Sequence, residues 1–207
     1  TAERLATAVT RELPDVNMGK TVFKIALDRV YDEQKGLMIV GEPVAVSKEG
    51  IDHIGFLVAP NPGEGLRPLA KIASGGELSR FMLVLKVILA ETDQIPTMVF
   101  DEIDTGIGGR TAQAVAEKLL LLGLSHQVIC VTHLPQIASM AHRHFYIEKQ
   151  TLHDRTVIKV RVLDHNERVE ELARMLGGAE VTTTTREHAG EMLQLAETLR
   201  RKKGETY

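Results

Sequence analysis

The sequence predicts an α/β protein with a parallel core sheet, flanking helices and a separate set of antiparallel strands. Two apolar runs of strand length, residues 97–100 and 128–131, flank a helical segment, and each is followed by ionisable residues. Strand, helix and strand in this order are typical of a parallel sheet, and such runs favour strands buried on both faces. Residues 21–60 instead alternate with period two between glycines, which predicts antiparallel strands.

Composition places the chain among ordinary globular proteins. Of its 207 residues, 43% are hydrophobic and 26% charged, enough for one sizeable core. No apolar run reaches the ~18–20 residues of a membrane span, and the single cysteine, Cys130, excludes an intrachain disulfide. We therefore expect a cytosolic protein without a membrane partner, in which Cys130 has a packing role. The formal net charge of −3 means that any DNA contact would need a local patch or another part of the molecule.

The chain begins inside a predicted helix. Leu5, Val9 and Leu13 follow helical spacing until Pro14 stops the pattern. Because the first residue is Thr1 and not methionine, we expect a fragment of a longer protein.

Gly19-Lys20-Thr21 has the last residues of a phosphate-binding P-loop but not the rest. The P-loop pattern requires a glycine five residues before Gly19, where this chain has Pro14, and an alternating segment typical of a strand follows. No other segment matches the pattern, so we expect the main phosphate cradle to lie outside this sequence.

Three strands are predicted in the antiparallel part, near 22–30, 37–46 and 51–59, followed by a loop at 61–67. Arg67 and Lys71 come just before the next helix, where they either support a phosphate or are simply solvated.

A buried helix is predicted over residues 74–91. Ser74 is placed to cap it, Glu77 lies three residues on as in a capping box, and Gly75 and Gly76 leave the backbone N–H groups uncovered. Such a helix start is an anion site; the alternative is an ordinary capped helix with glycines in a tight turn.

The remaining elements follow from apolar periodicity and from glycine and proline positions. They are a glycine-rich turn at 103–109, a helix near 110–122, a strand at 127–132, a helix at 136–141, a hairpin of 144–149 with 156–163, and helices at 166–176 and 184–200.

Asp101, Glu102 and His133 end the two core strands. Adjacent strand residues point to opposite faces, so we assign Asp101 and Glu102 different tasks. Asp101 suits Mg²⁺, which takes one or two carboxylates and keeps several waters. Glu102 can polarise a water that attacks a γ-phosphate, and His133 can hydrogen-bond that phosphate or water. A solvated turn and a structural histidine are the alternatives, and the other histidines receive no role.

These motifs resemble those of ABC/SMC-type ATPase heads. The wording Ala73-Ser74-Gly75-Gly76-Glu77-Leu78-Ser79-Arg80 and residues 100–109 are most similar to the SMC-like ATPases of bacterial double-strand-break repair. Residues 61–63, 68–71 and 173–178 extend the resemblance over most of the chain. It implies the carboxyl-terminal lobe of a head: a coiled-coil end at 1–14, then a lobe at 15–207 with a β-rich part at 21–60, a core at 61–150, and a hairpin and helices at 151–207.

The resemblance also implies site residues. Ser74, Gly75, Gly76 and Glu77 would be the ABC signature, which contacts ATP held by a second head. Asp101 would bind Mg²⁺, Glu102 would be the general base and His133 the switch histidine. Asp104, Thr105 and Gly106 resemble the D-loop near the dimer axis. Arg80 is a further candidate beside the phosphate, and residues 200–203 are either a DNA contact or a solvated basic tail.

Implied partners are an amino-terminal lobe carrying the P-loop, a second copy joined head to head, and DNA ends. Two other functions stay open. One is the nucleotide-binding subunit of an ABC transporter; the other is a non-catalytic tether that dimerises on ATP, against which Glu102 argues because a tether needs no base.

Overall fold

The computed structural model describes residues 1–48, 50–72, 74–152, 155–178 and 180–204. Ala73, which opens the signature wording, and His153, in the turn of the predicted hairpin, lie outside the described residues. The chain divides into two compact units, Thr1–Val84 and Leu85–Tyr207.

The first unit begins with helix α1, Ala2–Glu12, followed by a 3₁₀ turn at Leu13–Val16. Val9 and Leu13 are buried, and α1 packs against strand β1, Val22–Arg29. The predicted helix and its end near Pro14 are therefore confirmed.

An antiparallel sheet forms the centre of this unit. Strand β4, Asp52–Ala59, pairs with β1 along its whole length, and the short strand β5, Arg67–Pro68, pairs with the other edge of β4. On β1, Phe23 is buried, and its ring centroid lies 5.0 Å from that of Phe81 and 5.7 Å from that of Phe56.

The strand predicted at 37–46 is a hairpin instead. Its strands are β2, Leu37–Ile39, and β3, Glu42–Val44. Val40 and Gly41 both have positive φ, 53° and 86°, as a two-residue type I′ turn requires. The prediction was wrong because valine rarely adopts this conformation, so the turn carries no Asn-Gly or Asp-Gly signal.

Gly19 and Lys20 form a turn that leads into β1, not into a helix. Thr21 is buried, and its hydroxyl donates to the backbone carbonyl of Pro60 at 3.4 Å. The strand predicted after this segment, which argued against a P-loop, is therefore confirmed.

Helix α2, Gly75–Ile88, runs through the boundary between the units. In the second unit, strand β6, Thr97–Phe100, is followed by helix α3, Gly109–Leu122, strand β7, Gln127–Cys130, and helix α4, Pro135–Met140. Strands β6 and β7 pair in parallel, as predicted. The apolar stripe of α3 is buried: Ala112, Val115, Leu119 and Leu122.

One face of the β6–β7 sheet is open to solvent. Met98 and Phe100 are buried on one side, whereas on the other Val99 is 67%, Ile129 48% and Val131 55% exposed. The prediction that these strands are buried on both faces was wrong for this chain, because no described residue covers the second face.

The chain ends with a hairpin and two helices. Strands β8, Phe145–Leu152, and β9, Arg155–Val162, pair antiparallel, and helices α5, His165–Gly177, and α6, Thr183–Gly204, follow. Their shared core, with one residue of α4, is Ala138, Leu172, Ala173, Ala189 and Leu193. Among the residues that the structure describes, no helix has the length and apolar character needed to cross a membrane.

Candidate functional site

The candidate residues of the second unit lie where β6 and β7 end. The parallel register pairs Phe100 with Cys130, and the Val131 N–H donates to the Phe100 carbonyl at 3.0 Å, which extends the pairing by one residue. Carboxyl ends of parallel strands form one edge of a sheet, the edge where ligands bind in open α/β folds. Asp101 therefore follows β6 at the same edge at which Thr132 and His133 follow β7.

Asp101 and Glu102 are both exposed, and Glu102 has a left-handed backbone with φ 57°. The Glu102 N–H donates to Asp101 Oδ1 at 2.8 Å, and the Thr105 N–H donates to the Glu102 carbonyl at 3.0 Å. Because β6 ends at Phe100, strand alternation does not set the directions of these two carboxylates, as the sequence argument assumed. Glu102 instead lies in a left-handed turn, and a non-glycine residue held in this region is often found at a functional site.

Asp104 is buried, and one of its carboxylate oxygens binds three groups beyond β7. Its Oδ2 accepts from the Thr132 hydroxyl at 2.6 Å and from the His133 backbone N–H at 2.8 Å, and lies 2.9 Å from His133 Nδ1. The His133 side chain is nevertheless 74% exposed. The ring is thus attached to the protein at one nitrogen and open to solvent over most of its surface.

Thr132 belongs to this arrangement, and the sequence argument missed it. Its hydroxyl donates to Asp104 and accepts from the Leu134 N–H at 3.0 Å. The available signal was its position, since a hydroxyl directly before a candidate histidine at a strand end can reach the next turn.

Thr105 and Gly106, predicted with Asp104 as a D-loop, are exposed. Gly106 has φ 73°, which favours glycine at that position. Asp104 differs from both because it is buried and bound to groups of its own chain. A role for this loop near a dimer axis stays a prediction.

Cys130 precedes this edge as the residue paired with Phe100. Burial, together with the negative charges of Asp104 and Asp101, raises the pKa of its thiol to about 12. The thiol donates weakly to the Val131 carbonyl at 3.7 Å. A protonated thiol is a poor nucleophile, which agrees with the predicted packing role.

The signature residues belong to the first unit. The Glu77 N–H donates to the Ser74 hydroxyl at 3.3 Å, so the predicted cap of α2 is confirmed. Gly75 is exposed and Gly76 buried. Arg80, one turn later, is buried. Burial lowers the pKa of its guanidinium, and the charge of Glu77 opposes this shift only in part.

The basic residues outside these motifs have local partners or remain exposed. Arg67 pairs with Glu64 at 2.9 Å, and Lys71 is exposed. Arg200 Nε donates to the Ala196 carbonyl at 3.2 Å within α6. None of these contacts identifies a ligand.

In the described ranges, no group of three or more His, Cys, Asp or Glu side chains is placed to hold a metal ion. This donor set does not fit a metal held by protein ligands alone. It fits Mg²⁺, which keeps several waters and takes one or two carboxylates together with substrate phosphates. Asp101, exposed at the strand end, stays the predicted carboxylate for that purpose.

The chain is similar in fold to solved structures and in sequence to known proteins. No family model matches the chain. In fold it is similar to an Smc head domain with a coiled coil and joint from Pyrococcus yayanosii, with a TM-score of 0.55, 17% identity, and coverage of 86% of this chain and 29% of that chain. The fold is therefore that of part of an SMC-type head.

In sequence the chain is similar to the carboxyl-terminal part of DNA repair protein RecN. It is 42% identical to RecN of Bacillus subtilis over 95% of this chain, and 46% identical to RecN of Streptomyces coelicolor over 94%. RecN of Xylella fastidiosa is 50% identical over 70% of this chain. The chain spans 34% of the length of the first two relatives, about a third. The resemblance inferred from the motifs is confirmed.

Proposed function

We propose that this chain is the carboxyl-terminal lobe of a RecN-type, SMC-like ATPase head that acts in DNA repair and recombination in the bacterial cytosol. The observation that carries the proposal is the edge formed by β6 and β7, where Asp101 and Glu102 follow one strand and His133 follows its parallel neighbour. The similarity to RecN supports the same assignment.

The residues at this edge suit hydrolysis of a nucleotide phosphate. Asp101 holds Mg²⁺ through its exposed carboxylate, and the ion, when bound, neutralises charge on the phosphate oxygens. Glu102 orients the attacking water and accepts its proton, and His133 hydrogen-bonds the γ-phosphate or that water.

The rest of the site comes from outside this chain. ATP is bound by the P-loop of an amino-terminal lobe of the same protein, because this sequence contains no such motif. Ser74, Gly75, Gly76 and Glu77 contact the γ-phosphate of ATP bound to the partner head, so that two heads close around two nucleotides. Head closure in a homodimer is coupled to DNA, which binds through residues that this chain does not identify.

The open face of the β6–β7 sheet supports the need for a second lobe. Val99, Ile129 and Val131 are exposed on one side of a parallel sheet, and such sheets are covered on both faces in α/β proteins. In the complete head, the amino-terminal lobe covers these side chains.

The test measures Mg-ATP hydrolysis by three samples: this chain alone, a RecN-type amino-terminal lobe alone, and their mixture. We expect turnover only in the mixture and its loss with Glu102→Gln, because the amide cannot accept a proton. Glu187→Gln, an exposed carboxylate on α6, is the matched control and should keep full turnover.

Two results would contradict the proposal. Hydrolysis by this chain alone would mean that it holds a complete phosphate site, and undiminished turnover of the Glu102→Gln mixture would mean that another group is the base. Ser74→Arg tests the action in trans: it should block head closure, measured by size-exclusion chromatography with ATP, and leave nucleotide binding by the two-lobed head intact. Loss of nucleotide binding would place the signature on the same head's ATP.

A further inference from the structure

Asp104 joins the turn after β6 to the turn after β7 through a single oxygen atom. Three donors, the Thr132 hydroxyl, the His133 N–H and His133 Nδ1, lie within 2.6–2.9 Å of Asp104 Oδ2. The Asp104 side chain is only 6% exposed. A buried carboxylate is costly unless its oxygens accept hydrogen bonds, so these contacts account for its position.

The geometry also determines which nitrogen of His133 carries the hydrogen in the neutral ring. An ionised carboxylate accepts hydrogen bonds and donates none, so the Nδ1 atom 2.9 Å from Asp104 Oδ2 must be the donor. The neutral ring then has its lone pair on Nε2. Since the ring is largely exposed, Nε2 is the nitrogen left for a ligand.

We propose that Asp104 and Thr132 are positioning residues for His133, which hold its imidazole as the Nδ1–H tautomer and direct Nε2 to the γ-phosphate side of the site. The direction toward nucleotide rests on the proposed function, whereas the tautomer does not. Thr132 contributes by bridging: its hydroxyl donates to Asp104 and accepts from the Leu134 N–H, which fixes the backbone on both sides of His133.

This role is distinct from that of a loop residue reaching toward a second head. Oδ2 of Asp104 already accepts from three donors of its own chain, so this oxygen acts within the chain. Without the carboxylate, an exposed imidazole would sample several rotamers, and fixing it on binding would cost side-chain entropy.

The test reads the tautomer directly, by long-range ¹H–¹⁵N NMR of the 207-residue chain labelled on its eight histidines, at a pH where imidazoles are neutral. His133→Gln identifies the His133 signals. We expect the Nδ1–H form in the wild type, and a shift toward the Nε2–H form, which free histidine favours, in Asp104→Ala, which removes the acceptor.

Asp93→Ala is the matched control, because Asp93 is a largely buried carboxylate in the same unit, paired with Lys86 at 2.5 Å and remote in sequence from His133. It should lower stability without changing the His133 tautomer. Thr132→Val should broaden or shift the His133 signals, whereas Thr132→Ser, which keeps the hydroxyl, should restore them.

An Nε2–H tautomer in the wild type would overturn the proposal without any variant, and so would an unchanged tautomer in a folded Asp104→Ala chain. In the two-lobed ATPase, Asp104→Ala should lower kcat more than it raises KM, and should add nothing to His133→Gln. If the mixture shows no hydrolysis, the proposed function fails, while the NMR result still decides the positioning role.

Discussion

Arg168 of α5 reaches the carboxyl end of α4, where its Nη2 donates to the backbone carbonyl of Ala141 at 2.8 Å. The same nitrogen donates to the Ser139 carbonyl at 3.2 Å. Carbonyls at a helix end lack partners within the helix, and a cation there is also favoured by the helix dipole. Arg168 thus links α5 to α4, the helix that begins two residues after His133.

Replacing Arg168 with methionine should destabilise the chain. Hydrogen bonds from a charged donor are worth about 1.5–3 kcal/mol each, and the two carbonyls would lose their donor. We expect a loss of about 2–3 kcal/mol in the free energy of unfolding, measured by urea titration. Arg186→Met, which removes an exposed pair with Glu170 at 2.7 Å, is the control and should cost less than about 1 kcal/mol. Equal losses in the two variants would contradict the capping role.

The stability of the chain should decrease as the pH is lowered, because of His144 and His142. Burial lowers the pKa of His144, with Arg168 acting in the same direction and Glu171 opposing it. Burial, Arg200 and Arg168 likewise lower the pKa of His142. The unfolded chain therefore binds more protons than the folded chain below the ordinary histidine pKa of about 6.5, so stability rises with pH.

The measurement is the urea midpoint between pH 7.5 and 5.5. Wild type should lose stability as pH falls through about 6.5, until the folded-state pKa values are passed. The double variant His142→Gln/His144→Gln should lose less over the same range. His53→Gln, on strand β4, controls for removal of an imidazole elsewhere. A pH slope in the double variant as steep as that of wild type would exclude these two histidines as its source.

The turn of the β2–β3 hairpin can be improved by a single substitution. Val40 has φ 53° and is 95% exposed, so its branched side chain is strained in the left-handed region and makes little contact in return. Val40→Asn should stabilise the first unit by about 1 kcal/mol, because asparagine tolerates this conformation and suits a type I′ turn before Gly41. Thermal unfolding checks the gain, with the exposed Val46→Asn as control. No gain over that control would mean that the turn is not strained.

Replacing Glu102 with glycine should preserve or raise the stability of the chain and abolish its contribution to hydrolysis. Its left-handed backbone costs about 1 kcal/mol or more for a non-glycine residue, and its exposed side chain buries little. Glu102→Gly should therefore be at least as stable as wild type, whereas Glu102→Val should be less stable. In the mixture with the amino-terminal lobe, both should lose hydrolysis. A destabilised Glu102→Gly chain would show that the carboxylate contributes to the fold.

Elements with strong periodicity were predictable from sequence. Helix α3 followed from its apolar stripe, and the parallel pair β6 and β7 followed from two apolar runs separated by that helix. The hairpin at Val40 was not, since its turn depends on backbone angles that valine rarely adopts. In the capping box of α5, Asp164 and Glu167 form reciprocal hydrogen bonds. Its signal, an Asp followed three residues later by a Glu, is present in the sequence but was missed.

The sequence predicted which residue types form the candidate site better than it predicted the contacts between them. Strand ends identified Asp101, Glu102 and His133, because ionisable residues that follow apolar runs can be recognised in the sequence itself. The contact of Asp104 with His133 joins residues far apart in the chain, and no local pattern reports which carboxylate the fold will bury. The open face carrying Val99 was likewise invisible, since an apolar run has the same composition whether or not a second layer covers it.

The raised pKa of Cys130 makes the chain convenient for site-specific labelling. With a pKa of about 12, the fraction of thiolate near pH 7.5 is on the order of 10⁻⁴ or less. Because maleimides and spin labels react with the thiolate, this native cysteine, the only one in the sequence, should remain almost unmodified during brief treatment. A cysteine introduced at an exposed position would then carry the probe alone, and distances between two heads could be followed without first replacing Cys130.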